Sequence, residues 1–287
     1  MSNNAMHWTT LVSAEELAAA LGRDELVVFD TRHSLAAPEA GEAAWREAHI
    51  PGAFYAHLDR ELSDHRKAHA GRHPWPDDAD FTAALGRWGV TPHHQVVVYD
   101  AGDGALAAAR MWCMLRMLGH ERVAVLDGGL SRWQSLGLAT DAVVPTATPA
   151  PPYPATFDWS RLLDAQRVQA HLDAGGVLLD ARAAERFRGE VEPIDRVAGH
   201  VPGAMSRPYA LNMRDGRFRP ADELASEFAT LLRGRSPSDV VAMCGSGVTA
   251  CHLLLALEHA GLKGSGLFTG SWSGWIDDPS RPIARGD

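Results

Sequence analysis

Residues 240–261 read VVAMCGSGVTACHLLLALEHAG, and this stretch contains the order of elements that decides the fold. Its first four apolar residues predict a buried strand, with Cys244 at the carboxyl end. Two glycines then predict a tight loop, and the apolar run after Thr249 predicts a long helix. Because open α/β sheets bind ligands at the carboxyl ends of their strands, the stretch predicts an α/β sheet with a functional loop starting at Cys244.

Cys244 is the best candidate nucleophile in the chain. Gly245 and Gly247 let the loop curl so that successive N–H groups point inward, and the start of the helix adds a partial positive charge. Such surroundings stabilise a thiolate, the nucleophilic form of cysteine. The alternative is that Cys244 is a small buried apolar residue, as most free cysteines are. Cys113 and Cys251 fall inside apolar helical patterns, so core packing is predicted for both.

A similar order of elements occurs twice along the chain. The apolar strands LVVFD and GVLLD end at Asp30 and Asp180, which are 150 residues apart. The turn sequences HIPGA and HVPGA start at His49 and His200, which are 151 residues apart. Short apolar strands that alternate with helices indicate parallel sheets with helices on both faces. We therefore predict an α/β protein of two tandem, similar domains.

The two copies differ at the residue that matters for chemistry. The strand QVVVYD of the first copy ends at Asp100, which corresponds to Cys244 at an interval of 144 residues. A carboxylate cannot attack sulfur as a thiolate does. The second copy is therefore predicted to be catalytic and the first to be silent.

A proline-rich stretch separates the copies. Residues 141–158 contain five prolines, which remove backbone donors and fix φ, so an extended, semi-rigid linker is expected there. The predicted domains are residues 8–140 and 159–287. The length of 287 residues fits two domains, since the common domain size is roughly 100 to 150 residues.

Composition excludes several classes of function. With 27 basic and 36 acidic residues, the net charge is -9, whereas nucleic-acid binders need a basic surface. No apolar run is long enough to span a membrane, and the polar segment 1–10 lacks a signal-peptide pattern. Three cysteines, an odd number, fit reduced thiols. We expect a cytoplasmic protein that binds neither nucleic acid nor membrane.

Two other site types match the sequence only in part. The run from Gly102 to Ala107, followed by Asp127, imitates a dinucleotide fingerprint, but the further βαβ units of a nucleotide-binding sheet are missing. A cysteine phosphatase needs an arginine six residues after its nucleophile, where this chain has Ala250. The sequence shows no metal-ligand spacing, so neither a metal nor an organic cofactor is expected.

Several motifs together resemble the two-domain sulfurtransferases of the rhodanese superfamily over about 270 residues. They are HIPGA, GHVPGA, the DAR of residues 180–182 with RFRG of 186–189, CGSGVTA of 244–250 and GSWSGW of 270–275. The resemblance implies two rhodanese-like domains, the second of which carries a cysteine that forms a persulfide. It thus agrees with the difference between Asp100 and Cys244.

The loop sequence CGSGVT resembles that of enzymes acting on 3-mercaptopyruvate, whereas thiosulfate enzymes resemble CRKGVT. Two cations beside the cysteine suit a dianion such as thiosulfate, and this loop supplies none. The resemblance implies transfer of sulfur from 3-mercaptopyruvate through Cys244 to cyanide or a thiol acceptor such as thioredoxin, with release of pyruvate. Gly245, Gly247, Val248 and Thr249 would contact the substrate. The alternatives are thiosulfate as donor, or a persulfide carrier that turns over no small molecule.

The resemblance also implies a relay of Ser246, His73 and Asp59, although the Asp59 alignment is loose by one residue and His73 could be a hydrogen-bonded loop histidine. Arg186 matches the first of two arginines that would hold the substrate carboxylate. Where the second is expected the chain has Asp195, and the candidate substrate-binding residue Arg196 beside it either substitutes as the second cation or faces solvent. The resemblance therefore leaves the second cation, and with it the donor, open.

Overall fold

The computed structural model describes residues 6–287, and the chain divides into two compact units. Unit 1 comprises the described residues up to Leu62 together with Pro76–Phe157. Unit 2 comprises Ser63–Trp75 together with Asp158–Asp287. These units differ from the predicted domain limits in two places. The segment Ser63–Trp75 groups with unit 2, and the proline-rich residues up to Phe157 group with unit 1.

Unit 1 contains one sheet of five strands. The strands are β1 (Leu11–Val12), β2 (Leu26–Asp30), β3 (Phe54–Tyr55), β4 (Gln95–Tyr99) and β5 (Val123–Leu126). Their order is β1-β5-β4-β2-β3, and every neighbouring pair is parallel. The helices are α1 (Ala14–Ala20), α2 (Ala40–Glu47), α3 (Asp78–Arg87), α4 (Ala108–Met117) and α5 (Gly129–Ser135). All five residues of β4 are buried, as expected for a central strand of a parallel sheet.

Unit 2 has seven strands, β6 (Leu162–Leu163), β7 (Val177–Asp180), β8 (Met205–Ser206), β9 (Met213–Arg214), β10 (Arg217–Phe218), β11 (Val240–Met243) and β12 (Gly266–Phe268). Five of them form a parallel sheet in the order β6-β12-β11-β7-β8, while β9 and β10 form an antiparallel pair. The helices are α6 (Ala165–Asp173), α7 (Ala184–Phe187), α8 (Ala221–Leu232), α9 (Ala250–His259) and α10 (Ser271–Trp275). Two short 3₁₀ helices cover Tyr209–Asn212 and Pro237–Asp239.

The two five-stranded sheets have the same strand order. If β6, β7, β8, β11 and β12 are counted as strands one to five of unit 2, their order is again one, five, four, two, three. The prediction of two similar, parallel α/β domains is confirmed. Strand β4 precedes Asp100 and strand β11 precedes Cys244. Each of these two strands has a parallel neighbour on both sides.

Local signals set several of the boundaries. Ser13 caps α1 in a complete capping box with Glu16. Helix α6 begins at Ala165, with Asp164 as its cap, although the apolar pattern that predicts a helix starts at about residue 160. Leu162 and Leu163 instead pair with Leu267 and Phe268 as an edge strand, because parallel pairing there satisfies their backbone groups.

The proline-rich stretch packs as part of unit 1. Its Tyr153 and Phe157 are 6% and 3% exposed, and the ring of Phe157 stacks on Phe81 with centroids 5.8 Å apart. The N–H of Tyr153 donates to the carbonyl of Thr82 at 3.0 Å. Two buried aromatic rings therefore anchor a segment that its prolines keep extended.

Within residues 6–287, none of the helices has both the length and the apolar character needed to cross a membrane. Half of the N-terminal segment 1–10, in which the sequence showed no signal-peptide pattern, lies outside the described residues.

Candidate functional site

Cys244 follows the last residue of β11 and is 3% exposed. Its backbone is fixed from both sides by the turn that begins α10. The N–H of Cys244 donates to the Ser271 hydroxyl at 3.1 Å, and its carbonyl accepts from the N–H of Trp272 at 3.0 Å. Ser271 has a φ of 49°, a strained value for a residue with a side chain. The cysteine is thus held at the carboxyl edge of the sheet, where the strand order predicts it.

The loop after Cys244 runs through Gly245, Gly247, Val248 and Thr249 to the first residue of α9. Gly247 has a φ of 77°, which explains the need for glycine there. The thiol of Cys251 donates to the Gly247 carbonyl at 3.3 Å, and the Gly245 carbonyl accepts from the N–H of Ser273 at 2.8 Å. Hydrogen bonds from α9 on one side and from α10 on the other therefore hold the loop in place.

Ser246 and His73 are in contact. The Ser246 hydroxyl lies 2.8 Å from Nδ1 of His73, and both residues are buried. They are 173 positions apart in the chain. Both residues belong to unit 2, because this unit includes the segment Ser63–Trp75. A serine beside an imidazole can pass a proton in either direction at neutral pH.

The segment that carries His73 approaches the loop through glycine. Gly71 has a φ of 87°, and a Cβ at this position would lie 2.4 Å from the Gly270 carbonyl oxygen. The N–H of Arg72 donates to the Ser273 hydroxyl at 2.9 Å. Only glycine permits this approach, which places Arg72 and His73 beside the 244–249 loop.

Arg186, on the short helix α7, lies among acidic side chains. Its Nη2 donates to Glu192 Oε1 at 2.7 Å and to Asp195 Oδ2 at 3.2 Å, and its Nε donates to Glu192 Oε2 at 3.2 Å. The other oxygen of Asp195 accepts from Nη1 of Arg72 at 2.6 Å. One carboxylate therefore bridges two arginines, and a Cβ built on Gly245 would lie within 3.6 Å of all three groups.

Charges in this cluster balance. Arg182 forms a bidentate pair with Asp180, with Nη2 and Oδ2 at 2.6 Å. Glu192 also lies 3.4 Å from Arg182. Burial raises the pKa of Glu192, but hydrogen bonds from Arg186 and from backbone N–H groups outweigh it, so its pKa lies below the usual value. Three cations, Arg72, Arg182 and Arg186, thus face three anions, Asp180, Glu192 and Asp195.

Arg196 points elsewhere. Its side chain is 58% exposed, its Nη2 donates to the Ile276 carbonyl, and Nη1 lies 3.8 Å from Asp277. The arginine that stands with Arg186 is Arg72, which the sequence reasoning missed. Its position directly before His73, in the sequence GRHPWP of residues 71–76, could have identified it. A residue next to a predicted site residue also lies close to the loop.

Asp59 belongs to unit 1, where it lies 4.0 Å from Nε2 of His33. Its N–H donates to Nδ1 of His57 at 3.0 Å. Because Nδ1 accepts this bond, the proton of a neutral His57 ring lies on Nε2. Nε2 of His57 lies 3.6 Å from Glu39. The role of Asp59 in a relay stays a prediction.

The corresponding loop of unit 1 is filled by its own side chain. The Asp100 carboxylate accepts from the N–H groups of Gly102, Gly104 and Leu106 at 3.0, 3.0 and 3.4 Å. Burial raises the pKa of Asp100, against the effect of these bonds. The loop therefore forms a ring of donors around a negative group.

Burial does not separate the three cysteines, because Cys113 and Cys251 are 1% and 0% exposed. Both lie inside helices, α4 and α9, whereas Cys244 starts a loop. Position relative to the strand end, rather than exposure, marks Cys244.

Comparisons with known proteins agree on one family. The family model described as "Rhodanese-like domain" matches residues 13–136 and 164–278. The chain is similar to a probable 3-mercaptopyruvate sulfurtransferase of Pseudomonas aeruginosa, with 49% identity over 96% of this chain and 98% of the relative. It is 40% identical to a Mycobacterium tuberculosis protein named for thiosulfate sulfurtransfer, over 96% and 97% of the two chains. Among solved structures, 3-mercaptopyruvate sulfurtransferase from Leishmania major matches with a TM-score of 0.83 and 29% identity, over 94% of this chain and 76% of that one.

Proposed function

Since the chain belongs to the rhodanese family and is a two-domain sulfurtransferase, we propose that it takes sulfur from 3-mercaptopyruvate and holds it as a persulfide on Cys244. A thiol acceptor then removes the outer sulfur. The observation that carries the choice of donor is the Asp195 carboxylate that bridges Arg72 and Arg186 beside Gly245. This contact supports the proposal that the two arginines bind the carboxylate of the donor, and 3-mercaptopyruvate carries a carboxylate.

In the first half-reaction, the Cys244 thiolate attacks the sulfur of the donor. The new S–S bond forms as the C–S bond breaks, and the electron pair of that bond leaves on carbon as the enolate of pyruvate. One proton completes pyruvate, and Cys244 is left as a persulfide. In the second half-reaction, an acceptor thiolate attacks the outer sulfur, and the Cys244 thiolate returns as the leaving group.

The loop supplies the stabilisation of negative charge. Ser246, Val248 and Ala250 correspond, at the interval of 144 residues, to Gly102, Gly104 and Leu106, whose N–H groups surround the Asp100 carboxylate. By the internal repeat, we expect the corresponding N–H groups of unit 2 to face the outer sulfur that Cys244 carries as a persulfide. Donors fixed before the reaction cost no reorganisation when charge develops.

Ser246 and His73 would manage the proton of this reaction. The hydroxyl of Ser246 lies two residues after Cys244 and is hydrogen-bonded to Nδ1 of His73. It can therefore stabilise or protonate the enolate as pyruvate leaves. No metal or organic cofactor enters these steps.

The acceptor and the cellular location are parts of the same proposal. A persulfide is released by a thiol such as that of thioredoxin, or by cyanide. The free cysteines Cys113, Cys244 and Cys251 fit a reducing compartment, which supports the cytoplasm.

Thiosulfate is the second candidate donor, favoured by the name of the Mycobacterium tuberculosis relative. A dianion could also be held between Arg72 and Arg186. Steady-state rates with each donor, for wild type and Cys244→Ser, test the proposal. We expect a higher kcat/KM with 3-mercaptopyruvate, and Cys244→Ser should abolish transfer from both donors. A preference for thiosulfate would overturn the choice of donor, and substantial transfer by Cys244→Ser would overturn the nucleophile.

Mass spectrometry separates the enzyme from a carrier. After incubation with 3-mercaptopyruvate alone, the wild-type chain should gain the mass of one sulfur atom, and Cys244→Ser should not. A chain that gains sulfur only from a protein persulfide would instead be a carrier module.

A further inference from the structure

Asp195 occupies a position that a substrate would need. Its side chain is 5% exposed, and its carboxylate bridges Nη1 of Arg72 and Nη2 of Arg186 at 2.6 and 3.2 Å. Within residues 6–287, the hydrogen bonds received by this carboxylate come from these two arginines. Asp195 thus makes the pair of contacts that a donor carboxylate would make.

We propose that Asp195 is a specificity-determining residue that competes, as a carboxylate built into the chain, with the carboxylate of the sulfur donor for Arg72 and Arg186. This inference rests on the proposed function, because it assumes that the two arginines receive the donor. The two arginines then have two competing states, one bound to Asp195 and one bound to the donor carboxylate. Donor binding exchanges one carboxylate for another.

The charges of the cluster require this exchange. Arg72, Arg182 and Arg186 are matched by Asp180, Glu192 and Asp195, so an added anion would leave a buried excess of negative charge. Burying an unpaired charge is costly, so one internal carboxylate must give way. Affinity for the donor is then the difference between its contacts and those of Asp195.

Of the two acids that bind Arg186, Asp195 is the one free to leave. Glu192 forms a bidentate pair with Arg186 and also accepts from the N–H groups of Ile194 and Asp195, each at 3.1 Å. Its carboxylate is therefore tied to its own loop. Among residues 6–287, the carboxylate of Asp195 is bound by the two arginines alone, and these are the contacts that a donor replaces.

The neighbours of Asp195 indicate how the exchange happens. On the C-terminal side, Arg196 donates to the Ile276 carbonyl, and the Val197 carbonyl accepts from the indole N–H of Trp272 at 2.8 Å. These contacts hold the backbone after Asp195. A rotation of the Asp195 side chain, rather than an opening of the loop, releases the arginines.

This competition has a consequence for specificity. Displacing Asp195 from the arginines costs the same free energy for any small anion, so inorganic anions that bind weakly are disfavoured. A planar carboxylate reproduces the geometry of the group that it displaces. The site therefore favours carboxylate donors that also gain contacts elsewhere, at the 244–249 loop.

Binding of pyruvate provides a test that does not depend on turnover. Isothermal titration calorimetry in the Cys244→Ser background compares the Kd of pyruvate with and without Asp195→Asn. We expect the asparagine variant to bind about tenfold more tightly, because a neutral amide competes less well for two guanidinium groups. Pyruvamide, the neutral analogue, should show no such gain.

Glu185→Gln is the matched control, since Glu185 is exposed and precedes Arg186 on the same helix. It changes the net charge equally and should leave the Kd of pyruvate within about twofold, as for a solvent-screened charge. In the active enzyme, Asp195→Asn should lower KM for 3-mercaptopyruvate by a factor similar to the change in Kd. Adding Arg72→Ala should remove the gain in pyruvate affinity.

Three results would overturn the inference: an unchanged or weaker pyruvate Kd in Asp195→Asn, an equal gain in Glu185→Gln, or an equal gain for pyruvamide. If thermal melting shows that Asp195→Asn does not fold, Asp195→Ser replaces it and the same outcomes apply. If the wild type transfers sulfur from neither donor, the proposed function fails. The calorimetric comparison still decides whether Asp195 competes for the arginines.

Discussion

Arg196 was a predicted substrate-binding residue and Arg72 precedes the predicted residue His73, but only Arg72 faces the loop. Arg72 approaches Gly245 and pairs with Asp195, whereas Arg196 is exposed and donates to Ile276. We predict that Arg72→Ala raises KM for 3-mercaptopyruvate by about tenfold or more, as for loss of a charge-assisted contact. Arg196→Ala should change KM by less than about twofold. Initial-rate kinetics on the two variants check this, and an equal effect would contradict the assignment of Arg72.

Ser246 gives a second prediction at the residue scale. Ser246→Ala removes the hydroxyl that lies 2.8 Å from Nδ1 of His73 while leaving the loop glycines in place. We expect kcat/KM with 3-mercaptopyruvate to fall by about 10²-fold, the usual size of a lost proton-transfer group. Ser280→Ala, an exposed position of the same unit, is the control. Activity within twofold of wild type would remove Ser246 from the mechanism.

Individual residues were predictable where a short motif contained their partners. Cys244, Gly245 and Ser246 share one loop, so their neighbourhood could be read from the sequence. Arg72 could not be identified in this way, since its partners Asp195 and Ser273 are 123 and 201 positions away. A position in a motif predicts a residue's role only when the chain also brings its partners close.

At the scale of elements, the proline-rich stretch shows how a predicted linker becomes part of a unit. Its Tyr153 hydroxyl lies 2.7 Å from Nδ1 of His120, which is 3% exposed and lies between α4 and β5. Nε2 of His120 lies 3.1 Å from the carbonyl of Arg122. Two polar contacts and the buried rings of Tyr153 and Phe157 thus hold the stretch against unit 1.

His120 makes this anchor sensitive to acid. Burial lowers the pKa of His120 from 6.5 to about 4, so in mild acid the unfolded chain takes up the proton first. Stability from the neutral ring is therefore present above about pH 6.5 and is lost as pH falls towards 4. At pH 5 we expect a loss of about 2 kcal/mol relative to pH 7.5. His120→Gln should remove that part of the pH dependence in urea unfolding, and His93→Gln, an exposed control, should not.

At the scale of the whole molecule, a duplicated sheet carries two different loops. At the interval that relates Asp30 to Asp180, the counterpart of Arg186 is Ala36, and at the interval from Asp100 to Cys244 the counterpart of Ser246 is Gly102. Unit 1 therefore repeats the sheet and has a ring of N–H donors around Asp100, but it has neither of these side chains. A cysteine alone should not make it active.

The variant Cys244→Ser with Asp100→Cys tests this expectation. We predict a kcat/KM with 3-mercaptopyruvate below about 1% of wild type. A nucleophile that lacks the arginine for binding the donor and the serine for proton transfer retains little catalysis. Circular dichroism verifies that the variant is folded. Recovery of a tenth of the wild-type rate would show that the loop and cysteine suffice.

The sequence by itself determined the α/β class, the duplication, the order of elements and the choice of Cys244. These features depend on local periodicity, on turn residues and on comparing one half of the chain with the other. Only the tertiary structure decided that Ser63–Trp75 belongs with unit 2, that Arg72 rather than Arg196 stands beside Arg186, and that Asp195 bridges the two arginines. The physical reason is that charge pairing depends on distances of a few ångströms between residues far apart in sequence, and the close approach of Gly71 to Gly270 sets those distances.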